Sequence, residues 1–279
     1  MVTAAVCAVI LAAGEGQRLR PLTTHLPKAL CPVGNVPLLD RALARVSAAG
    51  VAAVAVNASY LAGQVVAHVG ARAHLSVEPD GPLGTSGGVA ELRDWIDGRG
   101  VLVGNADAYL SDPSRPPGKD IAALLDGWSG SSVRMLVRPL PDGESGGFSN
   151  HRFAGFSLLP WSRVRDLVPS PAGLVRDVWR PAEAAGELEL IPFEGTYLDT
   201  GTPPLYLAAN LHAAGHRNLI APSASVSGTC TSAVIGADAT VHGTVTRSVV
   251  LPGATVGAAE VLTDAIRVGT LTIPAALLS

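Results

Sequence analysis

The sequence has little charge of either sign. Asp, Glu, Lys and Arg together make up 15% of the 279 residues, and the net charge is −3. A near-neutral chain lacks the strongly basic surface with which proteins bind DNA, RNA or anionic membranes. We therefore expect no nucleic acid and no membrane among its partners.

Cysteine is also scarce, and no apolar run is long. Cys7, Cys31 and Cys230 are odd in number and far apart, so they predict neither a disulfide framework nor a metal site. The apolar run that begins at Val2 has no cation before Arg18, unlike a signal peptide. No apolar stretch reaches the roughly 18 residues of a membrane helix. Together these features predict a cytoplasmic protein.

Apolar residues make up 48% of the chain and occur in short runs that alternate with helical patterns. This alternation is typical of an α/β fold, a Rossmann-like αβα sandwich with a mostly parallel sheet. The predicted strands are 5–11, 51–58, 74–78, 100–107 and 131–138; the predicted helices are 37–50, one that opens near Ser86, and one around 121–128.

The pattern changes after residue 218. Segments that begin at Ile220, Ile235 and Val250 each carry an aliphatic residue followed six positions later by valine. Further aliphatic residues stand at Val261, Ile266 and Leu271. A six-residue aliphatic step is typical of a β-helix, and an ordinary small β-domain is the alternative. We expect a catalytic domain over residues 1–218 and a short β-helix over residues 219–279.

Residues 11–28 read LAAGEGQRLRPLTTHLPK and follow the first strand directly. Gly14 and Gly16 begin like a dinucleotide fingerprint, but Leu19 stands where the third glycine is needed. No GK[ST] element of a P-loop is present either. What remains is a loop whose backbone N–H groups can approach a phosphate, with Arg18 and Lys28 to neutralise its charge.

The stretch LAAGEGQRLRPLTTHLPKAL resembles the signature of the sugar-1-phosphate nucleotidyltransferases. EPDGPLGTSGG (78–88) resembles the nucleobase-contact loop of that family, most of all in its guanylyltransferase-like members. GNAD (104–107) and YLDTGTPPLYLAAN (197–210) resemble two segments that each carry an aspartate, although Tyr197 stands where the family has tryptophan. The C-terminal repeats resemble the left-handed β-helix of several members.

The resemblance implies Mg²⁺-dependent attack of a sugar 1-phosphate on the α-phosphorus of a nucleoside triphosphate, with release of pyrophosphate. It gives Arg18 the β- and γ-phosphates, Lys28 the α-phosphate side, and Asp107 and Asp199 the Mg²⁺ ion. Arg18, Lys28 and Asp107 are thus the expected catalytic residues. Nucleotide contacts are expected from Leu11, Ala12, Ala13, Gly14, Gly16, Gln17, Arg18, Gly84, Thr85 and Asp107.

One departure concerns the sugar phosphate. The family often has an E-K-P segment whose lysine holds that phosphate, whereas residues 137–155 of this chain contain no lysine. We hypothesise that Arg138 or Arg152 replaces the missing charge. The other candidates for sugar contact are Gly147, Asn150, Gly155 and Glu194.

The loop PLGTSGG favours GTP and mannose 1-phosphate as substrates, with GDP-mannose as product. Uridylyl, thymidylyl or cytidylyl transfer to another sugar or cyclitol phosphate stays open. So does a catalytically silent, NDP-sugar-binding regulatory subunit, although such a subunit should have lost a cation or a metal ligand. An acyltransferase built on the repeats would need a longer β-helix. The β-helix is expected to form a homo-oligomer or a lid.

Overall fold

The computed structural model describes residues 5–116, 118–141 and 143–276. The chain divides into two units. The first contains the residues up to Glu15 together with Leu39–Tyr197, and the second contains Gly16–Leu38 together with the residues from Leu198 onward. The predicted division at residue 218 stays a prediction, and its outermost residues, 1–4 and 277–279, lie outside the described part of the chain.

The first unit contains a sheet to which the described residues contribute seven strands. In chain order these are β1 (Val6–Leu11), β2 (Val54–Ala58), β3 (His74–Val77), β4 (Gly100–Asn105), β5 (Val133–Pro139), β6 (His151–Leu159) and β7 (Leu188–Pro192). They lie in the order β7-β5-β6-β4-β1-β2-β3, and β6 runs antiparallel to both of its neighbours while the other pairs are parallel. The mostly parallel sheet predicted from the apolar runs is confirmed.

Helices connect the strands. The α-helices are α1 (Leu38–Ala48), α2 (Ala62–Val69), α3 (Gly84–Glu91), α4 (Arg93–Ile96), α5 (Lys119–Leu125), α6 (Trp161–Val164), α7 (Arg180–Ala184) and α8 (Pro203–Ala213). A π-helical turn, Val175–Trp179, precedes α7. The main core of the first unit packs Val9 and Val103 of the sheet against Val89 of α3 and Trp179. None of the helices in the described part of the chain is long and apolar enough to cross a membrane.

The carboxyl ends of β1, β2, β3 and β4 meet at one edge of the sheet, because these four strands are parallel neighbours. The segments that leave this edge begin at Ala12, Ser59, Glu78 and Ala106. Ligands of open α/β sheets bind at this edge. The first three of the four resemblance segments therefore have residues where a ligand is expected.

The second unit begins with short 3-10 turns, Gln17–Leu19, Leu22–Thr24 and Lys28–Leu30, and a small hairpin, Pro32–Val33 with Val36–Pro37. Helix α8 holds this hairpin. The Tyr206 hydroxyl donates a hydrogen bond to the Pro32 carbonyl, and Asn210 Oδ1 accepts one from Gly34 N at 2.9 Å. Helix α8 thus anchors the hairpin that follows the turn Lys28–Leu30.

The C-terminal repeats form a β-helix with three faces, and the stacked coils pair through parallel strands on each face. One face contains Leu219–Ile220, Val234–Ile235, Val249–Val250 and Ala265–Val268; the second contains Ser225–Val226, Thr240–Val241 and Thr255–Val256; the third contains Thr229–Thr231, Thr244–Thr246 and Val261–Thr263. Val226 pairs with Val241 and Val241 with Val256, which is the register that the repeat predicts. The core of this β-helix contains Ile235, Val241, Val245 and Val250.

The spacing of the inward residues is irregular in two places. The six-residue step holds from Ile235 to Val241, but the following inward residues, Val245 and Val250, come after steps of four and five. In the last coil, two extra residues shift the pairing so that Thr244 lies opposite Val261, and Val261 is 71% exposed while its neighbour Leu262 is buried. The β-helix then ends in an antiparallel hairpin, Ala265–Val268 with Leu271–Pro274, which leaves Leu271 half-exposed.

Candidate active site

The loop that follows β1 presents its backbone at the ligand-binding edge of the sheet. Ala12 and Ala13 are buried, and Ala12 N donates a hydrogen bond to Asn57 Oδ1 at 2.7 Å. Leu11 accepts a hydrogen bond from Ala106 N at 3.0 Å. A Cβ placed on Gly14 would meet no atom within 4 Å, so the backbone there borders open space. A ligand can therefore approach the main chain of this loop closely.

Gly16 is required by packing within the second unit. Its φ of +63° is left-handed, and a Cβ on it would lie 3.0 Å from Lys28 Cβ and 3.1 Å from Thr23 Cγ2. The Thr23 hydroxyl donates to Gly16 O at 2.8 Å. Gln17 then opens a 3-10 turn. Gly16 thus lets the chain fold tightly against the stem of Lys28.

Arg18, Lys28 and Asp199 converge in the second unit. Asp199 Oδ2 lies 3.6 Å from Arg18 Nη2, and Asp199 Oδ1 lies 3.6 Å from Lys28 Nζ. The Lys28 side chain is 7% exposed, whereas that of Arg18 is 70% exposed. A Cβ on Gly201 would lie only 2.8 Å from Arg18 Nη2. The cluster carries one net positive charge, with a fixed ammonium and a guanidinium that solvent and ligands can reach.

Asp107 lies in the first unit, in the turn that follows β4 at the ligand-binding edge. Residues 5–116, 118–141 and 143–276 contain no group of three or more His, Cys, Asp or Glu side chains that could hold a metal ion. Mg²⁺ in nucleotide enzymes does not need such a group, because it binds one or two carboxylates and completes its shell with phosphate oxygens and water. The carboxylates of Asp107 and Asp199 are donors of the type that Mg²⁺ prefers.

The loop predicted to contact the nucleobase opens α3 and packs against the segment 170–177. Cβ atoms on Gly84 and Gly87 would each lie 2.3 Å from a carbonyl oxygen of that segment. The Thr85 hydroxyl accepts a hydrogen bond from Leu174 N at 2.8 Å. Ser86 Oγ donates to Asp177 Oδ2 at 2.5 Å. The glycines and hydroxyls of this loop therefore pack against, or hydrogen-bond to, the segment 170–177.

Gly147 and Asn150 lie in the connection between β5 and β6. Both have left-handed backbones, with φ of +59° and +57°. A Cβ on Gly147 would lie 2.1 Å from His151 O. Gly155 lies within β6, and a Cβ on it would lie 2.9 Å from Ala108 Cβ. These glycines are required by chain packing, whatever ligand they contact.

Arg138 and Arg152 lie directly opposite each other on β5 and β6, so their side chains share one face of the sheet. Arg138 Nη1 donates to Gly195 O at 2.6 Å, while Arg152 is exposed. Glu194, the residue before Gly195, pairs with Arg115 at 2.5 Å. Like charges opposite each other are unfavourable unless an anion lies near them. The pair is thus a candidate anion site.

A family model described as nucleotidyl transferase matches residues 7–119 of the chain. A similar protein, the N-acetylmuramate alpha-1-phosphate uridylyltransferase of Neisseria meningitidis serogroup B, is 34% identical over 175 residues, which are 60% of this chain and 71% of that protein. The chain belongs to the sugar-1-phosphate nucleotidyltransferase family. Proteins of this family are enzymes that transfer a nucleotidyl group to a sugar 1-phosphate and generally use Mg²⁺.

Other nucleotidyltransferases are also similar. The mannose-1-phosphate guanylyltransferase of Mycobacterium tuberculosis is 35% identical over 131 residues, 45% of this chain, and the match spans only 34% of that protein. A solved structure assigned as a glucose-1-phosphate thymidylyltransferase from Bacillus anthracis shares the fold, with a TM-score of 0.59 and 20% identity over 75% of this chain and 95% of that one. The predicted family and fold are confirmed, and these relatives act with different nucleobases.

Two polar residues of this nucleotidyltransferase are absent from the predicted set. Asn57 and Glu78 are buried beneath the loops at the ends of β2 and β3. Each is a polar residue at the end of a strand, in VAVNA and in LSVE, and that position was the available signal. The hydrogen bond between them joins residues 21 positions apart, which no local pattern indicates.

Proposed function

We propose that this nucleotidyltransferase transfers a guanylyl group from GTP to mannose 1-phosphate, with Mg²⁺ as cofactor. A phosphate oxygen of the sugar 1-phosphate attacks the α-phosphorus, the bond from that phosphorus to the bridging oxygen breaks, and pyrophosphate leaves. The observation that carries the proposal is the placement of Asp199 between Arg18 and Lys28 at 3.6 Å from each. GTP is supported by the PLGTSGG loop and by the similarity to a guanylyltransferase.

The two cations are proposed to have different tasks. Both reactants are anions, so positioning and charge neutralisation supply most of the catalysis. Lys28 is nearly buried and cannot move far, which suits a fixed contact with the α-phosphate. The exposed guanidinium of Arg18 can follow the β- and γ-phosphates as they leave. The open backbone at Gly14 leaves room for the triphosphate beside the loop.

We propose Asp107 and Asp199 as the carboxylates that bind Mg²⁺. When bound there, Mg²⁺ would supply positive charge that offsets the negative charge of the substrate phosphates. Asp199 keeps its place through Arg18 and Lys28 and is itself 45% exposed, so it can reach a ligand as well as its two cations.

The sugar phosphate is proposed to bind at the Arg138–Arg152 pair. Arg138 is held by Gly195 O, whereas Arg152 is exposed and has the freedom to turn towards an anion. Changing each arginine to alanine should raise the KM for the sugar 1-phosphate and leave the KM for the nucleotide unchanged. If neither change has an effect, the pair does not replace the missing lysine.

A second substrate pair is UTP with N-acetylmuramate 1-phosphate. The observation in its favour is the uridylyltransferase similarity, which extends over 175 residues against 131 for the guanylyltransferase. This pair keeps the reaction and the cationic cluster and changes only the base and the sugar.

The test is pyrophosphate release with Mg²⁺, measured for five nucleoside triphosphates against a panel of sugar 1-phosphates that includes both pairs. We expect GTP with mannose 1-phosphate to give the highest kcat/KM. The highest value for UTP with N-acetylmuramate 1-phosphate would replace the first pair by the second. The Asp107→Asn variant is the control and should give no signal above background with any pair.

Silence of the wild-type protein across the whole panel would contradict the proposed substrates. Calorimetry with the same nucleotides and with NDP-sugars would then separate an enzyme for another phosphate acceptor from a binding subunit. The former should bind a nucleoside triphosphate with Mg²⁺, and the latter should bind only the NDP-sugar.

A further inference from the structure

Two buried polar side chains join the loops that are proposed to hold the two ends of a nucleotide. Asn57 is 1% exposed and Glu78 is 3% exposed. Asn57 lies near the end of β2, and Glu78 follows β3 directly. Polar groups this deeply buried are costly unless their hydrogen bonds are satisfied.

The hydrogen bonds form a chain with a defined direction. Ala12 N, in the loop after β1, donates to Asn57 Oδ1 at 2.7 Å. Asn57 Nδ2 donates to Glu78 Oε1 at 2.7 Å. Leu83 N, at the start of α3, donates to Glu78 Oε2 at 2.8 Å. Three hydrogen bonds thus run from Ala12 through Asn57 and Glu78 to Leu83, and the last of them lies within the predicted nucleobase loop.

The surroundings hold this chain of bonds in place. Glu78 N donates to Ala58 O at 2.8 Å, and Ser59 Oγ donates to Glu78 O at 2.9 Å. A Cβ on Gly88 of α3 would lie only 2.6 Å from Asn57 Nδ2. The backbone of α3 therefore packs directly against the amide, and a shift of either side chain would move a loop.

The carboxylate of Glu78 is chemically required by this arrangement. Both of its oxygens accept hydrogen bonds, one from a side-chain amide and one from a backbone amide. Among the described residues no cationic side chain pairs with it. A glutamine would offer one acceptor oxygen only, so one of the two donors would face its NH₂ group.

We propose that the Asn57–Glu78 pair is a positioning element. It sets the separation between the loop Ala12–Glu15, which is the phosphate loop, and the nucleobase loop where α3 begins. Neither side chain contacts the reacting atoms in this scheme. The pair fixes the span into which a nucleoside triphosphate must fit, with its phosphates at one loop and its base at the other. The inference rests on the proposed function, because it takes these loops as the nucleotide site.

The test exchanges the two functional groups. In Glu78→Gln the Leu83 amide or the Asn57 amide loses its acceptor, and in Asn57→Asp a carboxylate oxygen faces Glu78 Oε1. In the double variant the bonds can form again with the middle one reversed. Ala12 N donates to Asp at 57, the Gln amide at 78 donates to the same Asp, and Leu83 N donates to the Gln oxygen.

The measurement is calorimetric affinity, with Mg²⁺, for two ligands. One is GTP or UTP, whichever the wild-type protein binds more tightly, and the other is inorganic tripolyphosphate, which occupies the phosphate loop alone. Each single variant should bind the nucleotide about tenfold more weakly and tripolyphosphate within about threefold of wild type. The double variant should return to within about threefold of wild type for both ligands. Glu189→Gln, which makes the same exchange at a half-exposed carboxylate of β7 that pairs with Arg134, is the matched control and should bind both ligands normally.

Two results would overturn the inference alone. One is a double variant that binds the nucleotide no better than the weaker single variant. The other is an equal loss of affinity for tripolyphosphate in the single variants, because that would indicate general loosening and not a changed span. A wild-type protein that binds no nucleoside triphosphate and releases no pyrophosphate would instead overturn the proposed function, and this inference with it.

Discussion

Replacing Asp199 by asparagine should lower both the activity and the stability of the protein, by amounts that the cationic cluster determines. The change keeps the size of the side chain and removes the negative charge between Arg18 and Lys28. Both cations lie 3.6 Å from the carboxylate. Without it, two positive charges remain near each other, one of them almost buried.

The size of the stability loss follows from distance and exposure. Two unit charges at this separation attract by about 4–5 kcal/mol at an effective dielectric constant of about 20. Exposed ion pairs contribute only about 0.2–1 kcal/mol, whereas breaking a buried pair costs about 3–5 kcal/mol. Arg18 and Asp199 are well exposed and Lys28 is not. We therefore expect Asp199→Asn to lower the free energy of unfolding by about 1–2 kcal/mol.

Asp199→Asn should reduce the catalytic rate far more than a stability loss of this size would explain. If Asp199 binds Mg²⁺ and orients Arg18 and Lys28, kcat should fall about 100-fold or more, as it does when a preorganised charge is removed from other active sites. The assays are thermal unfolding and pyrophosphate release with the best substrate pair. The matched control is Asp264→Asn, which removes a carboxylate paired with Arg247 in the β-helix. That control should lose about 0.5 kcal/mol and keep its kcat.

The reasoning would be refuted by an Asp199→Asn variant that keeps more than about a tenth of the wild-type kcat while losing stability as expected. Such a result would make the cluster a structural ion-pair network and not a catalytic one. Equal losses of kcat in the Asp199 and Asp264 variants would contradict it as well, because they would show a general effect of lost stability.

Three further predictions concern the second unit. Val241→Ala should lower the free energy of unfolding by about 2 kcal/mol, because Val241 is fully buried in the β-helix. Val261→Ala should change it by less than about 0.5 kcal/mol, because Val261 is 71% exposed. Equal losses in the two variants would contradict the assigned inward face. Burial raises the pKa of Cys31 to about 12. In thiol labelling at pH 8 the partly exposed Cys230 should therefore react first. Fast labelling that persists in Cys230→Ala would contradict this prediction. The hydrogen-bonded arginine beside Asp264 holds the pKa of that carboxyl below its ordinary value of 3.8. The stability difference between wild type and Asp264→Asn should therefore be full near pH 6 and shrink as the pH falls towards 3. A stability difference that grows as the pH falls would contradict this prediction.

The central part of the fold could be predicted because its strands are buried on both faces. Such strands require unbroken apolar runs, and VCAVIL and GVLVGN are of that kind. The register of the β-helix could likewise be predicted from valines that repeat at Val226, Val241 and Val256, since stacked coils place equivalent residues over one another.

Other features depend on contacts that a local pattern does not carry. No strand is predicted over β6, which begins with the polar residues His151 and Arg152 and contains a glycine with positive φ. The hairpin that ends the β-helix also lies outside the repeat pattern, because two extra residues before Val261 break its period. Periodicity predicts elements well when one simple environment extends over their whole length, and it fails where that environment changes.

The candidate site also has a part that the sequence predicts and a part that it does not. The meeting of Arg18, Lys28 and Asp199 is expected from the resemblance of two segments to the family, and the structure brings these three side chains together. The hydrogen bond between Asn57 and Glu78 is not expected from the motifs, since Asn57 lies in none of them and Glu78 is only the first residue of the segment 78–88.

The most direct test of the account is to follow the α-phosphate itself. The protein is incubated with Mg²⁺, the sugar 1-phosphate of the best pair, and its nucleoside triphosphate labelled with ³²P at the α-position. The account predicts that the label appears in an NDP-sugar, in an amount equal to the unlabelled pyrophosphate released, and that Lys28→Met forms almost none. Label found only in free nucleoside mono- or diphosphate, with no NDP-sugar, would show hydrolysis in place of transfer and would contradict the account.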